Sequence, residues 1–171
     1  MSYWIMILLQ HPLGTFSKED VLAAIAASNL TTLCDQYGLD PALIQPALDQ
    51  LTIETADGGH LPLFFLRYQP LYRPPIVVTE WDVAAEAGER FLAEVGKGFP
   101  PPFAGQHLVQ TRFIYTVELV ESQLSDMGIL LAYEVARWVM KRGGGSMLGL
   151  DRTWYRLNPH QAFIPLSQAV L

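Results

Sequence analysis

From Leu108 to Val120 the side chains alternate, with Val109, Phe113, Tyr115, Val117 and Leu119 on one side and Gln110, Arg112, Thr116 and Glu118 on the other. A period of two belongs to extended backbone, so this stretch predicts a long strand with one dry and one wet face. A strand of that kind needs antiparallel neighbours and a helical layer over its dry side.

The helical layer announces itself through start signals. Ser17 and Asp20 are spaced to cap each other's amides, Phe16 is placed to staple onto Val21, and Val21, Leu22 and Ile25 form a buried stripe. Leu30, Leu33, Cys34 and Tyr37 continue at helical spacing to Gly38, a left-handed stop. Asp40-Pro41 restarts a helix whose inner face is Leu43, Ile44, Ala47, Leu48 and Leu51. Thr79 with Asp82 spells another capping box, leading into Val83, Ala84, Ala87, Phe91 and Val95 and ending at Gly96. Ser122 or Ser125 is expected to cap a last helix whose core stripe is Met127, Leu131, Val135 and Trp138, with Glu134, Arg137 and Lys141 as polar neighbours and Gly143-Gly144-Gly145 as its stop.

Further extended pieces are expected at Tyr3 to Leu9, in a hairpin turning at Asp57-Gly58-Gly59, at Ile76 to Val78, and in a terminal hairpin of Ser146 to Leu150 and Thr153 to Leu157 that Asn158-Pro159 ends. The fold class that follows is α+β: one domain over residues 1–171, a mainly antiparallel sheet with helices packed on one side. Phe99-Pro100-Pro101-Pro102-Phe103 is expected to be extended and marks a candidate internal joint at 97–106.

Composition says what such a domain has left over. Hydrophobic residues make up 50% and charged residues 16% of the 171, with a mean hydropathy of +0.20. That surplus of apolar side chains predicts a homo-oligomer interface, a partner groove or a ligand pocket. Cys34 is the only cysteine, which leaves no internal disulfide and no cysteine-based zinc site. The start, MSYWIMILLQHPLG, lacks a basic leader and a cleavage site, and no apolar run reaches the ~20 residues of a membrane helix. A cytoplasmic protein with no membrane partner is the expectation.

Charge narrows the partner. Up to Leu66 the acids Glu19, Asp20, Asp35, Asp40, Asp49, Glu54 and Asp57 face one base, Lys18, while Arg137, Lys141, Arg142, Arg152 and Arg156 face only Asp151 between 137 and 156. Two solvated faces of opposite sign account for this; the functional reading is an acidic surface that steers a basic protein. The order of elements from Ser17 to Tyr68 is that of a winged helix-turn-helix, yet the would-be recognition helix Asp40 to Leu51 has no Lys or Arg and carries two acids. Phosphate would be repelled, so nucleic acid is not the expected partner.

Catalytic motifs are missing. His11, His60, His107 and His160 show no i, i+4 pair and no cysteine neighbour, so no metal site is expected. Gly144-Gly145-Ser146-Met147-Leu148 lacks the last glycine of a nucleophile elbow, and neither Gly96-Lys97-Gly98 nor Gly143 to Gly145 completes a phosphate-loop or dinucleotide fingerprint. No catalytic residue and no cofactor is assigned, and whether the chain is an enzyme stays open on the side of not being one. Gly144 and Gly145, flanked by Arg142 and Arg152, are the candidate cradle for an anionic ligand. Asp35, Asp40 and Asp49, with Trp154 and Tyr155 of the terminal hairpin, are the candidate partner-binding residues, because one of two adjacent aromatic side chains on a strand must face outward.

The stretch at about 122–157, with Ser125-Asp126-Met127-Gly128 through Ala136-Arg137-Trp138, then Gly143-Gly144-Gly145 and Asp151-Arg152-Thr153-Trp154-Tyr155, resembles the C-terminal helix and hairpin of small uncharacterised bacterial α+β families that include immunity proteins of polymorphic toxin systems. The resemblance implies a compact, non-enzymatic protein-binding module that occludes a basic partner. The alternatives are a small-molecule binder or enzyme with its pocket near 143–145, and a structural subunit of a larger assembly.

Overall fold

A computed structural model describes residues 1–55, 62–98 and 103–166. Its frame is an eight-stranded sheet in which every adjacent pair is antiparallel. The strands are β1 (Ser2–Leu9), β2 (Thr52–Thr55), β3 (Phe64–Arg67), β4 (Ile76–Asp82), β5 (Phe113–Val120), β6 (Ser146–Leu148), β7 (Trp154–Leu157) and β8 (Phe163–Pro165), in the order β2-β3-β4-β5-β1-β6-β7-β8. The two longest, β1 and β5, pair at the centre from Ser2 opposite Val120 to Leu9 opposite Phe113.

Side-chain parity sorts the rest. Ile5, Ile7 and Leu9 of β1, Tyr115, Val117 and Leu119 of β5, and Phe64 and Leu66 of β3 face one side and have no solvent exposure. Over them lie α1 (Lys18–Ala26), α2 (Leu30–Tyr37), α3 (Ile44–Asp49) and the long α6 (Met127–Gly143), which contribute Val21, Ile25, Cys34, Ala47, Leu131 and Val135 to the same core. Each large aliphatic buried there contributes roughly 1.5–3 kcal/mol. This is the α+β arrangement the alternation implied, with its main helical layer on one side. The other face is closed in part by α4 (Glu86–Gly96) and α5 (Phe103–Gln110), where Leu8, Ile114 and Trp154 meet Val95, Phe91 and Leu108.

Local expectations hold where one interaction decides. Ser17 and Asp20 form the reciprocal capping box, and Gly38 closes α2 at φ 66°. Asp40 caps a 3-10 turn at Pro41–Leu43 that leads into α3. Among the described residues no helix is long and apolar enough to cross a membrane.

Four expectations change, three of them because sheet pairing outweighs a local signal. The strand expected from Leu108 begins only at Phe113, because β1 offers pairing partners from Leu9 backward; Leu108 to Gln110 belong to α5. Thr79 does not start a helix: it lies opposite Thr116 within β4, which runs on to Asp82, and α4 begins at Glu86 with no side-chain cap. Neither Ser122 nor Ser125 caps α6; Asp126 does, accepting the Gly128 amide at 2.7 Å. Asn158-Pro159 ends β7 but not the sheet, since β8 folds back onto Tyr155, Arg156 and Leu157. The expected turn at Asp57-Gly58-Gly59 lies outside the described residues, as do Phe99 to Pro102 of the expected joint.

Candidate functional site

The α6 helix sits on the sheet through Leu130, Leu131 and Val135, which leaves a neighbouring row at i, i+4 and i+8, namely Ile129, Tyr133 and Arg137, to project over its flank. Across from that row stand Leu33, Gln36 and Tyr37 of α2 on one side and Tyr155 of β7 with Phe163 of β8 on the other. The strands β6 to β8 are only three or four residues long and leave a cleft of about 750 Å³. Tyr3 and Met147 also line it. The volume falls in the usual range for ligand sites.

Aromatic rings form a continuous wall. Tyr37 and Tyr133 lie 5.9 Å apart between ring centres, Tyr133 and Phe163 6.0 Å, and Phe163 and Tyr155 6.2 Å, the last two edge to face. The framework holds the hydroxyls. The Leu150 amide donates to Tyr133 Oη at 3.0 Å, Tyr155 Oη donates to Asp151 Oδ2 at 2.5 Å, and Thr153 N donates to Asp151 Oδ1 at 3.1 Å. A side chain at Gly149 would place its Cβ 2.8 Å from the Asp151 carboxylate and 3.1 Å from the Tyr133 hydroxyl, so both groups would have to shift to admit it. The Tyr37 hydroxyl has no hydrogen-bond partner among the described residues.

Burial, helped by Tyr133, Tyr155 and Asp151 nearby, pushes the Tyr37 hydroxyl up to about 12, with Arg137 partly opposing. Burial and the hydrogen bond to Asp151 do the same for Tyr155, also to about 12. Burial raises Tyr133 as well. All three hydroxyls therefore stay neutral through the physiological range.

The waist of the cleft is an ion pair. Glu134 is 5% exposed; its Oε1 accepts Arg137 Nη2 at 3.0 Å and Nε at 3.2 Å, and its Oε2 accepts the Ser28 hydroxyl at 2.5 Å. Arg137 Nη1 donates to the Gln161 carbonyl at 2.5 Å, and the guanidinium lies 4.6 Å above the Phe163 ring centre. That bond ties the β7–β8 turn, where Gln161 adopts φ 63°, to α6. Beyond the pair a second hollow of about 320 Å³ continues along α1 and α6 past Asn29, Trp138 and Lys141.

The residues singled out by sequence fall in several places. Of the partner-binding set, Tyr155 lines the cleft, whereas Trp154 points to the opposite face, is 6% exposed and donates to the Gly98 carbonyl at 3.4 Å. Asp35, beside the lining residue Gln36, is exposed; Asp40 is used as a cap for Ala42 N, and Asp49 accepts from Gln45. Of the ligand-binding set, Arg142 donates to the Leu13 and Thr15 carbonyls at 3.2 and 2.8 Å and stacks on Trp138. The Gly144 amide is bonded to Met140 O, and Gly145 is pressed against β1. Arg152 sits in the β6–β7 turn at φ 64°. That turn meets α6 at Tyr133, nine residues or about 13 Å along the helix from Arg142, so the two arginines do not flank one loop.

Sequence reading overlooked Tyr3, Tyr37, Tyr133 and Phe163 as a group. The helical pattern gives Glu134 and Arg137 only as polar neighbours of the core stripe. The only hint in the sequence was Tyr133 one helical turn before Arg137, beside the core stripe.

Ser146 Oγ lies 2.8 Å from His107 Nδ1, the spacing of a nucleophile and its base, but Ser146 is 1% exposed. Cys34 is buried against Met127 with its thiol pushed up by burial, away from the reactive thiolate form. Among the described residues no group of three His, Cys, Asp or Glu is placed to hold a metal ion. Comparison with protein-family models, with curated proteins and with solved structures finds no match for this chain.

Proposed function

We propose that this chain is a non-catalytic protein-binding module that receives a projecting segment of a basic partner in the tyrosine-lined cleft. The observation that carries the reading is the ring wall Tyr37, Tyr133, Phe163 and Tyr155 with Arg137 at its foot. Tyrosine and arginine in a concave, half-dry setting are the residue types that concentrate binding energy at protein interfaces, because they offer large rigid area at little entropic cost. An immunity-type role, in which the cleft occludes a basic toxin, fits this reading and the acidic first third of the chain. The test is capture from native lysate at low salt by the wild-type protein and by Tyr37→Ala, a half-exposed position whose loss leaves the core intact. One stoichiometric basic protein held by the wild type and lost by the variant is expected. No partner, or a partner held equally by both, would overturn the reading.

A second reading, a small-molecule binder, is favoured by the cleft's 750 Å³. It moves the site from the glycine run at 143–145 to the ring wall. A metabolite screen by thermal shift in which no compound raises Tm by more than about 1 °C at hundredfold excess over a micromolar affinity would count against it.

A further inference from the structure

We infer that the cleft is a cation site: its rings and the Asp151 carboxylate take an alkylammonium or guanidinium group, presented as a lysine or arginine side chain of the partner. This rests on the binding reading above and names what is recognised.

The cleft is lined by Glu134, Arg137 and Asp151 as its charged residues, a net charge of −1. All three nitrogens of Arg137 are already engaged, Nε and Nη2 on Glu134 and Nη1 on the Gln161 carbonyl, so its charge is matched by Glu134, and one face of its guanidinium covers Phe163. An anion entering the cleft would meet an arginine whose charge Glu134 already balances, and the Asp151 carboxylate against it. A cation finds the opposite: Asp151, exposed at the mouth and held in place by Tyr155 and Thr153, and the faces of Tyr37, Tyr133 and Tyr155, whose hydroxyls remain protonated. Rings around a desolvated cation, backed by one carboxylate, are the means by which proteins recognise ammonium groups. The unpartnered Tyr37 hydroxyl adds an acceptor for an N–H of the guest.

Choline and its neutral isostere 3,3-dimethylbutan-1-ol separate charge from shape. Titrated calorimetrically into the full chain at low salt, choline is expected to bind about tenfold more tightly than the alcohol, which corresponds to one favourable ring-cation interaction. Asp151→Asn keeps the acceptor for Tyr155 and is expected to weaken choline about three- to fivefold without affecting the alcohol, with the difference vanishing at high salt. Equal binding of the two probes, no choline binding at all, or a response to Tyr37→Ala alone with none to Asp151→Asn, would overturn the inference. The two readings fail separately. Choline that binds without displacing a captured protein supports the cation site and assigns it to a free small cation. A captured protein whose binding ignores both choline and Asp151→Asn upholds the partner and removes the cation site.

Discussion

Gly145→Ala is expected to abolish folding or to lower stability by more than about 4 kcal/mol, read as loss of soluble yield or a collapsed Tm. Gly145 has φ 122°, and a Cβ there would stand 1.9 Å from the Leu8 carbonyl oxygen and 3.0 Å from its carbon. Neither atom can yield, because Leu8 is a ladder residue of β1 opposite both Ile114 and Ser146. The internal control is Gly144→Ala. Gly144 also has a positive φ, 64°, but nothing lies within 4 Å of its missing Cβ. That variant brings only the strain of a side chain at positive φ, about 1–3 kcal/mol. If both variants lose the same amount, close approach to β1 is not what the glycine serves. The glycine run is thus the hinge that brings β6 alongside β1 and places Met147 in the cleft, which accounts for it without a bound anion.

Arg137→Met is the second large effect, with an expected loss of about 3 kcal/mol in urea unfolding. The variant strands Glu134, 5% exposed, with only the Ser28 hydroxyl, and releases the Gln161 carbonyl that pins the β7–β8 turn. The loss sits at the lower end for a buried pair because 21% of the Arg137 side chain reaches water. Adding Glu134→Gln to Arg137→Met is expected to recover more than half of it, since an amide needs no counter-charge and still bonds to Ser28. Failure of the double variant to recover would place the cost in the turn instead of the stranded carboxylate.

The strongest periodic features of the chain carried over directly into the structure. α1 with its capping box, α2 with Gly38, and the body of α6 rest on interactions between residues close in sequence, whereas β1 was legible from its apolar run although its partners β5 and β6 lie far along the chain. Signals that compete with a strand partner misled: Thr79 and Asp82 are spaced as a capping box, but Val77 and Trp81 flank Thr79 in a ladder with β5 that is worth more than one cap. β8 escaped notice because three residues containing Pro165 make no periodic pattern at all. The cleft was hidden for a different reason. Its rings come from β1, α2, α6, β7 and β8, and no spacing along the chain relates Tyr3, Tyr37, Tyr133 and Tyr155. Only Tyr155 was reached, through the rule that Trp154 and Tyr155 must face opposite ways. The acidic first third was read correctly as a count, yet in the fold Asp20 and Asp40 serve as caps and Glu54 pairs with Arg67 at 3.1 Å, so less of that charge is free to steer a partner.

The most direct test of the cleft as the recognition site is a nuclear magnetic resonance titration of ring-labelled tyrosines with choline. The chain has seven tyrosines, of which Tyr3, Tyr37, Tyr133 and Tyr155 line the cleft, while Tyr68, Tyr72 and Tyr115 lie elsewhere. Shifts that saturate with one affinity are expected at the first four, and none at the other three. Uniform small shifts at all seven, or saturable shifts confined to the exposed Tyr72, would contradict it.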